Sequence, residues 1–304
     1  MIAAAGLSAS RFLHYAALTI LFGAACFPVY TYRDGLPPAG LASSLRRAML
    51  AASLLALASG ILWLGFVTAT MSGNIASLFD ANTLFLVIRG TDFGRIWVVR
   101  LALAAGLIVL LLGRQMPAWR LRAVLIGSLI LLASIAWTGH SGSDASSAGF
   151  VHRISDAFHL LAAGVWIGAL AVLARLAMVA VRHRRNEDLQ NFHHALARFS
   201  GVGTIVVATL VLTGINNPGF LASFGTPYGE ILLVKLALFG AMLLLAAANR
   251  YWLTPRLASS LASGLNSEGP ARALWASVLA ETTLAALVLA AVGWLGTLAP
   301  AAQG

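Results

Sequence analysis

Thr91-Asp92-Phe93-Gly94-Arg95-Ile96-Trp97-Val98-Val99-Arg100-Leu101-Ala102-Leu103 returns later in the chain as Thr226-Pro227-Tyr228-Gly229-Glu230-Ile231-Leu232-Leu233-Val234-Lys235-Leu236-Ala237-Leu238. At matched positions Thr, Gly, Ile, Val, Leu, Ala and Leu recur. An aromatic stands at Phe93 and Tyr228, and a cation at Arg100 and Lys235. Each copy opens an apolar run of about 20 residues, the length that crosses a hydrocarbon core of about 30 Å as a helix. The match predicts a membrane protein that uses one unit twice.

Working outward, eight runs qualify as spans: 9–31, 45–70, 95–113, 121–139, 153–178, 199–216, 229–250 and 273–298. Residues 75–93 read as an interfacial or re-entrant piece. The expected fold is an all-α polytopic membrane protein, with a first four-helix repeat over 1–143 and a second over 144–304. Weaker correspondences link His14 with His159, Gly23 with Gly168, and Gly60-Ile61 with Gly214-Ile215, whereas spans 4 and 8 show none. Four spans per half is an even number, so the halves share one orientation about a pseudo-twofold axis along the membrane normal. Composition agrees: 60% of the 304 residues are hydrophobic and 10% are charged. That balance excludes a water-soluble enzyme and a disordered chain. The first span is too long, and too poor in preceding basic residues, for a cleaved signal peptide. Gly23 argues against a lipoprotein site at Cys26, and this single cysteine excludes an internal disulfide or a CxxC metal site.

The net charge of +10 reports orientation rather than nucleic-acid binding. Arg33, Arg46, Arg47, Arg114, Arg120, Arg122, Arg182, Arg184, Arg185, Arg198, Arg250, Arg256 and Arg272 follow spans 1, 3, 5 and 7. Only Arg11, Arg89, Arg95 and Arg153 fall on the other side. Positive loops stay in the cytoplasm, so both termini are expected outside. The expected location is a bacterial inner membrane, with the lipid bilayer as the first partner.

Histidine carries the candidate chemistry. His14 lies one to two turns into span 1, His140 caps the outer end of span 4, and His152, Asp156 and His159 share one face at the start of span 5. All five are expected in the outer third of the membrane, within reach of one cavity. Intramembrane ionisable residues are costly and mark pathways. Imidazole with a carboxylate suits copper among the first-row metals, with Asp156 either ligating or orienting a histidine. His183, His193 and His194 fall in an Arg-rich cytoplasmic loop and read as solvated. The six methionines are scattered and form no thioether ladder. Cys26 lies about 18 Å along span 1 from His14 and reads as a transfer ligand or a plain buried thiol. Lys235 and its repeat partner Arg100 lie inside spans, as does Glu281. Glu281 is either a proton-coupling group or half of an ion pair with Lys235. No G-x-S-x-G, H-E-x-x-H or Walker loop occurs, so the chain is expected to be neither a hydrolase nor an ATP-driven pump.

Thr91-x-Phe93-Gly94-Arg95, Gly139-His140, Asp156-x-x-His159, Val165-Trp166-x-Gly168, Arg198-Phe199-Ser200, Thr213-Gly214, Thr226-x-Tyr228-Gly229 with Lys235, and Asn249-Arg250 follow one another in this order. The pattern resembles the CopD (copper resistance D, PcoD and YcnJ-like) family of bacterial inner-membrane copper proteins. The resemblance implies an eight-span protein linked to copper movement from periplasm to cytoplasm, served by a periplasmic CopC-like donor. It also implies that His14, His140 and His159 are membrane histidines near the periplasmic face. Two other readings stand beside copper transport. One is a b-type cytochrome with His14 and His159 as axial haem ligands, though no second intramembrane pair lies near the inner face. The other is a proton-linked membrane protein or assembly partner without metal.

Overall fold

The computed structural model describes residues 2–138, 147–215, 225–264 and 266–298, which are mostly helical with no strand among them. Among the described residues eight helices are long and apolar enough to cross a membrane, one for each expected run. In chain order the elements are α1 (Ile2–Thr31), α2 (Ala39–Ser72), α3 (Ala81–Gly90), α4 (Asp92–Leu112), α5 (Ala118–Ala133), α6 (Ser147–His183), α7 (Asn186–Ile215), α8 (Pro227–Ala248), α9 (Thr254–Ala262) and α10 (Glu268–Leu295). A 3-10 turn, Ser134–Trp137, extends α5. A π-turn, Asn249–Leu253, joins α8 to α9 into one long rod.

Local chemistry sets the helix starts. Thr91 and Thr226 cap α4 and α8, each hydroxyl accepting the amide N–H three residues on, from Gly94 at 2.9 Å and from Gly229 at 3.2 Å. The repeated Thr-x-aromatic-Gly is therefore a helix cap used twice. Gly94 is small for a second reason: a Cβ there would run into the backbone of Val87 and Ile88. The ambiguous stretch 75–93 resolves into the 3-10 turn Ile75–Leu78, α3 and the start of α4. With 10 residues, α3 is about 15 Å long, too short to cross. His193 and His194 are a correction: they lie inside α7, two turns before its expected start, and not in a loop.

Apolar side chains face lipid as readily as one another, so helices in a bilayer associate through small residues and close backbone packing. α1 is the central post, with α2, α5, α6 and α10 around it. It crosses α6 at the matched glycines, where a Cβ on Gly23 would strike Gly168 and a Cβ on Gly168 would strike Gly23. The flanking contacts mirror one another, since Gly23 lies against the Gly164 carbonyl and Gly168 against that of Thr19. α8 instead leaves Leu233, Val234, Leu236 and Leu244 exposed, as a helix facing hydrocarbon does.

Candidate metal centre

The end of the bundle where α1 begins, here the upper end, gathers Arg11 with Gly296, Gly60 with Trp97, and Arg100 with Thr138. Four of the seven histidines belong to the stretches near this end by sequence. His140 lies outside the described residues.

His14 is buried, at 3% exposure. Its ring sits between the indoles of Trp63 and Trp97, with centroids 5.5 and 5.7 Å away. Nδ1 is 3.0 Å from the Ala56 carbonyl and 3.1 Å from Ser59 Oγ. A carbonyl only accepts, so Nδ1 carries the hydrogen. Ser59 directs its own hydrogen to the Leu55 carbonyl at 2.6 Å and shares the histidine N–H. On the far side of the ring, Nε2 is 3.1 Å from a terminal nitrogen of Arg100. A guanidinium only donates, so Nε2 accepts, and His14 is a neutral ring with both nitrogens engaged.

Arg100 is itself buried, at 3% exposure. Its guanidinium lies 4.3 Å from the Trp97 ring centroid and 3.5 Å from Thr138 Oγ1, and its Nε is buried without a partner. Trp97 is fixed by donating to the Gly60 carbonyl at 2.8 Å and by stacking on Phe93. No carboxylate among the described residues pairs with Arg100, so the cation is held by an imidazole lone pair and an indole face.

His159 on α6 repeats half of this arrangement. Its Nδ1 is 2.9 Å from Thr213 Oγ1, whose hydrogen goes to the Thr209 carbonyl at 2.6 Å. Nδ1–H is again the donor. Thr213 precedes Gly214 as Ser59 precedes Gly60, and both glycines lie against a histidine Cε1, at 4.0 and 3.3 Å from the Cβ each lacks. The difference is at Nε2. In His159 this nitrogen has no hydrogen-bond partner among the described residues, and Lys235 lies close enough to interact only through its charge. Lys235 also feels Asp156, one turn before His159. His152 is half-buried and Asp156 exposed on the same helix.

Among the described residues no group of three or more His, Cys, Asp or Glu side chains lies close enough to share a metal. Cys26 is a free, half-buried thiol. Glu281 corrects the expected ion pair with Lys235: Trp166 Nε1 donates to its Oε1 at 2.7 Å and Asn249 Nδ2 to its Oε2 at 3.1 Å. Asn249 is about 21 Å further along the rod than Lys235, beyond any side chain's reach. Of the remaining histidines, His183 pairs with Asp188 and His194 donates to the Thr31 carbonyl at 3.1 Å. Sequence reasoning quoted Trp97, Thr213 and Asn249 in motifs but did not assign them, or Ser59, as partners of the site residues. The Gly60 and Gly214 match already set Ser59 and Thr213 in register.

A family described as "Copper resistance protein D-like, N-terminal domain" matches residues 1–150, and "Copper resistance protein D" matches residues 193–295. Copper resistance protein D of Pseudomonas syringae pv. tomato is 32% identical over 302 residues, covering 96% of each chain. The chain belongs to the copper resistance protein D family. Inner membrane protein YebZ of Escherichia coli K12 is 28% identical over 96% of this chain and 97% of its own. Copper transport protein CutJ of Bacillus subtilis 168 is 30% identical over 80% of this chain and 46% of its own. No solved structure matches. With its eight spans, this family member is a copper-related, multi-pass inner-membrane protein, as the ordered motifs implied. The haem reading finds no support in this geometry or in the names of the relatives.

Proposed function

We propose that the chain carries copper across the inner membrane, capturing it at the periplasmic face and passing it toward the cytoplasm. It acts as a carrier, not an enzyme, and takes copper from a CopC-like periplasmic protein. The observation that carries the reading is the upper histidine pair. In a family whose members are named for copper resistance and copper transport, two intramembrane imidazoles are each anchored through Nδ1–H, which orients Nε2 as the ligating atom. His159 Nε2, free of a hydrogen-bond partner among the described residues, is the proposed open ligand, and His14 becomes one when Arg100 withdraws. His140, His152 and Asp156 complete the proposed set.

The two halves are read as parallel repeats about an axis along the membrane normal, with both termini periplasmic. Support comes from equivalents that meet. In an arrangement with twofold symmetry, a residue near the axis touches its own counterpart, as Gly23 touches Gly168. The Arg-rich loops at the lower end support the orientation. Copper uptake into proteoliposomes tests the function: wild type accumulates the ion and His159→Ala does not. Equal uptake by both removes the role given to His159.

A further inference from the structure

In the middle of the bundle, below the upper histidines, three polar side chains from three helices meet. We propose that Glu281, Asn249 and Trp166 form a proton-binding site in which the Asn249 amide serves both the ionised and the protonated carboxyl.

Glu281 is 2% exposed and Asn249 8%. Trp166 Nε1–H and Asn249 Nδ2–H each donate to one carboxylate oxygen. Both donors are neutral. Trp166 lies about 10 Å along α6 from His159, so this site is separate from the candidate metal ligands. Charged or titratable groups on the elements packed against α10 include Cys26 and Tyr30 on α1, His159 and Arg175 on α6, Lys235 on α8, Arg250 beside Asn249, and Arg256 on α9. Among the described residues none forms a hydrogen bond or ion pair with Glu281. Arg250 is turned to the Ser200 carbonyl and Thr204, Arg175 to Ser44, and His159 to Thr213.

A buried carboxylate without a cation is costly, and one added proton removes the charge. The new O–H then needs an acceptor, and the site already holds one: Asn249 Oδ1 is buried without a hydrogen-bond partner. A half-turn of the amide exchanges its N–H and C=O ends within nearly the same shape. Nδ2–H serves the carboxylate and Oδ1 the acid, while Trp166 stays on the other oxygen. Only a proton is bound or released, and no electron moves. The site also sits where the rod departs from α geometry, since the π-turn begins at Asn249, and π-turns recur at functional positions. On the copper-carrier reading, occupancy of this site is linked to ion movement.

Two measurements on full-length, reconstituted protein decide the matter. Glu281→Gln keeps acceptor and donor atoms in place but binds no proton. Infrared difference spectra recorded across a pH titration, without copper, are expected to show a carboxylic acid C=O band that comes and goes in wild type. That band is absent in Glu281→Gln and shifted in Asn249→Leu. Spectra of wild type and Glu281→Gln that coincide overturn the proton site. In proteoliposomes, an imposed proton gradient is expected to change wild-type copper uptake several-fold and to leave Glu281→Gln unaffected, although the variant still binds copper. An equal response in both overturns the linkage. If wild type moves no copper, the carrier reading fails together with the linkage, and the infrared result still decides the site.

Discussion

A terminal nitrogen of Arg100 lies 3.1 Å from Nε2 of His14, so a buried guanidinium occupies the lone pair that a metal ion needs. Its repeat counterpart, Lys235, makes no such bond to His159. The two histidines therefore differ in availability although their Nδ1 anchors correspond.

Replacing Arg100 with Met keeps apolar volume beside Trp97 and removes the competing cation. Copper retained by purified protein is expected to rise in Arg100→Met. In that background His14→Ala is expected to lower it again, the non-additivity that marks coupled residues. Additive single effects show that Arg100 does not guard His14.

At the α1–α6 crossing there is no room for a methyl group on either glycine. Gly23→Ala and Gly168→Ala are each expected to destabilise the protein by about 1–3 kcal/mol, the usual range for overpacking. Gly106→Ala, in a helix with nothing within 4 Å of the new carbon, is expected to be neutral or to stabilise by about 0.5–1 kcal/mol. Thermal unfolding in one detergent ranks the three.

The helix-start repeat has its own test. Thr91→Ala and Thr226→Ala each lose a cap worth about 1 kcal/mol, and Thr→Ser restores the accepting oxygen. Thermal midpoints of the four variants show whether the two copies of the motif contribute alike.

Asp80 caps α3 outside the spans. The Thr83 hydroxyl, and then the Thr83 amide N–H, hold its carboxyl below the usual carboxylate range. A folded-state value below the unfolded one means that the contribution is present above the unfolded value and fades as pH falls through the folded one. Hydrogen-exchange protection of α3 is expected to fall in acid for wild type. In Asp80→Asn, which caps without ionising, it is expected to change less.

The spans were legible because a bilayer leaves one solution for a run of about 20 apolar residues, and all eight appear as helices. The histidines were legible as isolated polar residues in such runs. Their partners were not. Arg100 is 86 residues from His14, and Trp166 is 115 from Glu281. Periodicity along one helix does not say which helices pack together. The Lys235–Glu281 pairing failed for the same reason: charge complementarity was visible, but relative depth along two neighbouring helices was not. Asn249-Arg250 was visible as one of the ordered motifs, but neither its pairing with Glu281 nor its π-turn has a sequence signature that would have placed it.

Copper bound per molecule of purified protein, measured for wild type, His159→Ala and His14→Ala, tests the central claim most directly. Since Nε2 of His14 is engaged by Arg100 and Nε2 of His159 has no hydrogen-bond partner among the described residues, His159→Ala is expected to lose most of the bound copper and His14→Ala to retain it. Loss in His14→Ala with full retention in His159→Ala contradicts the account.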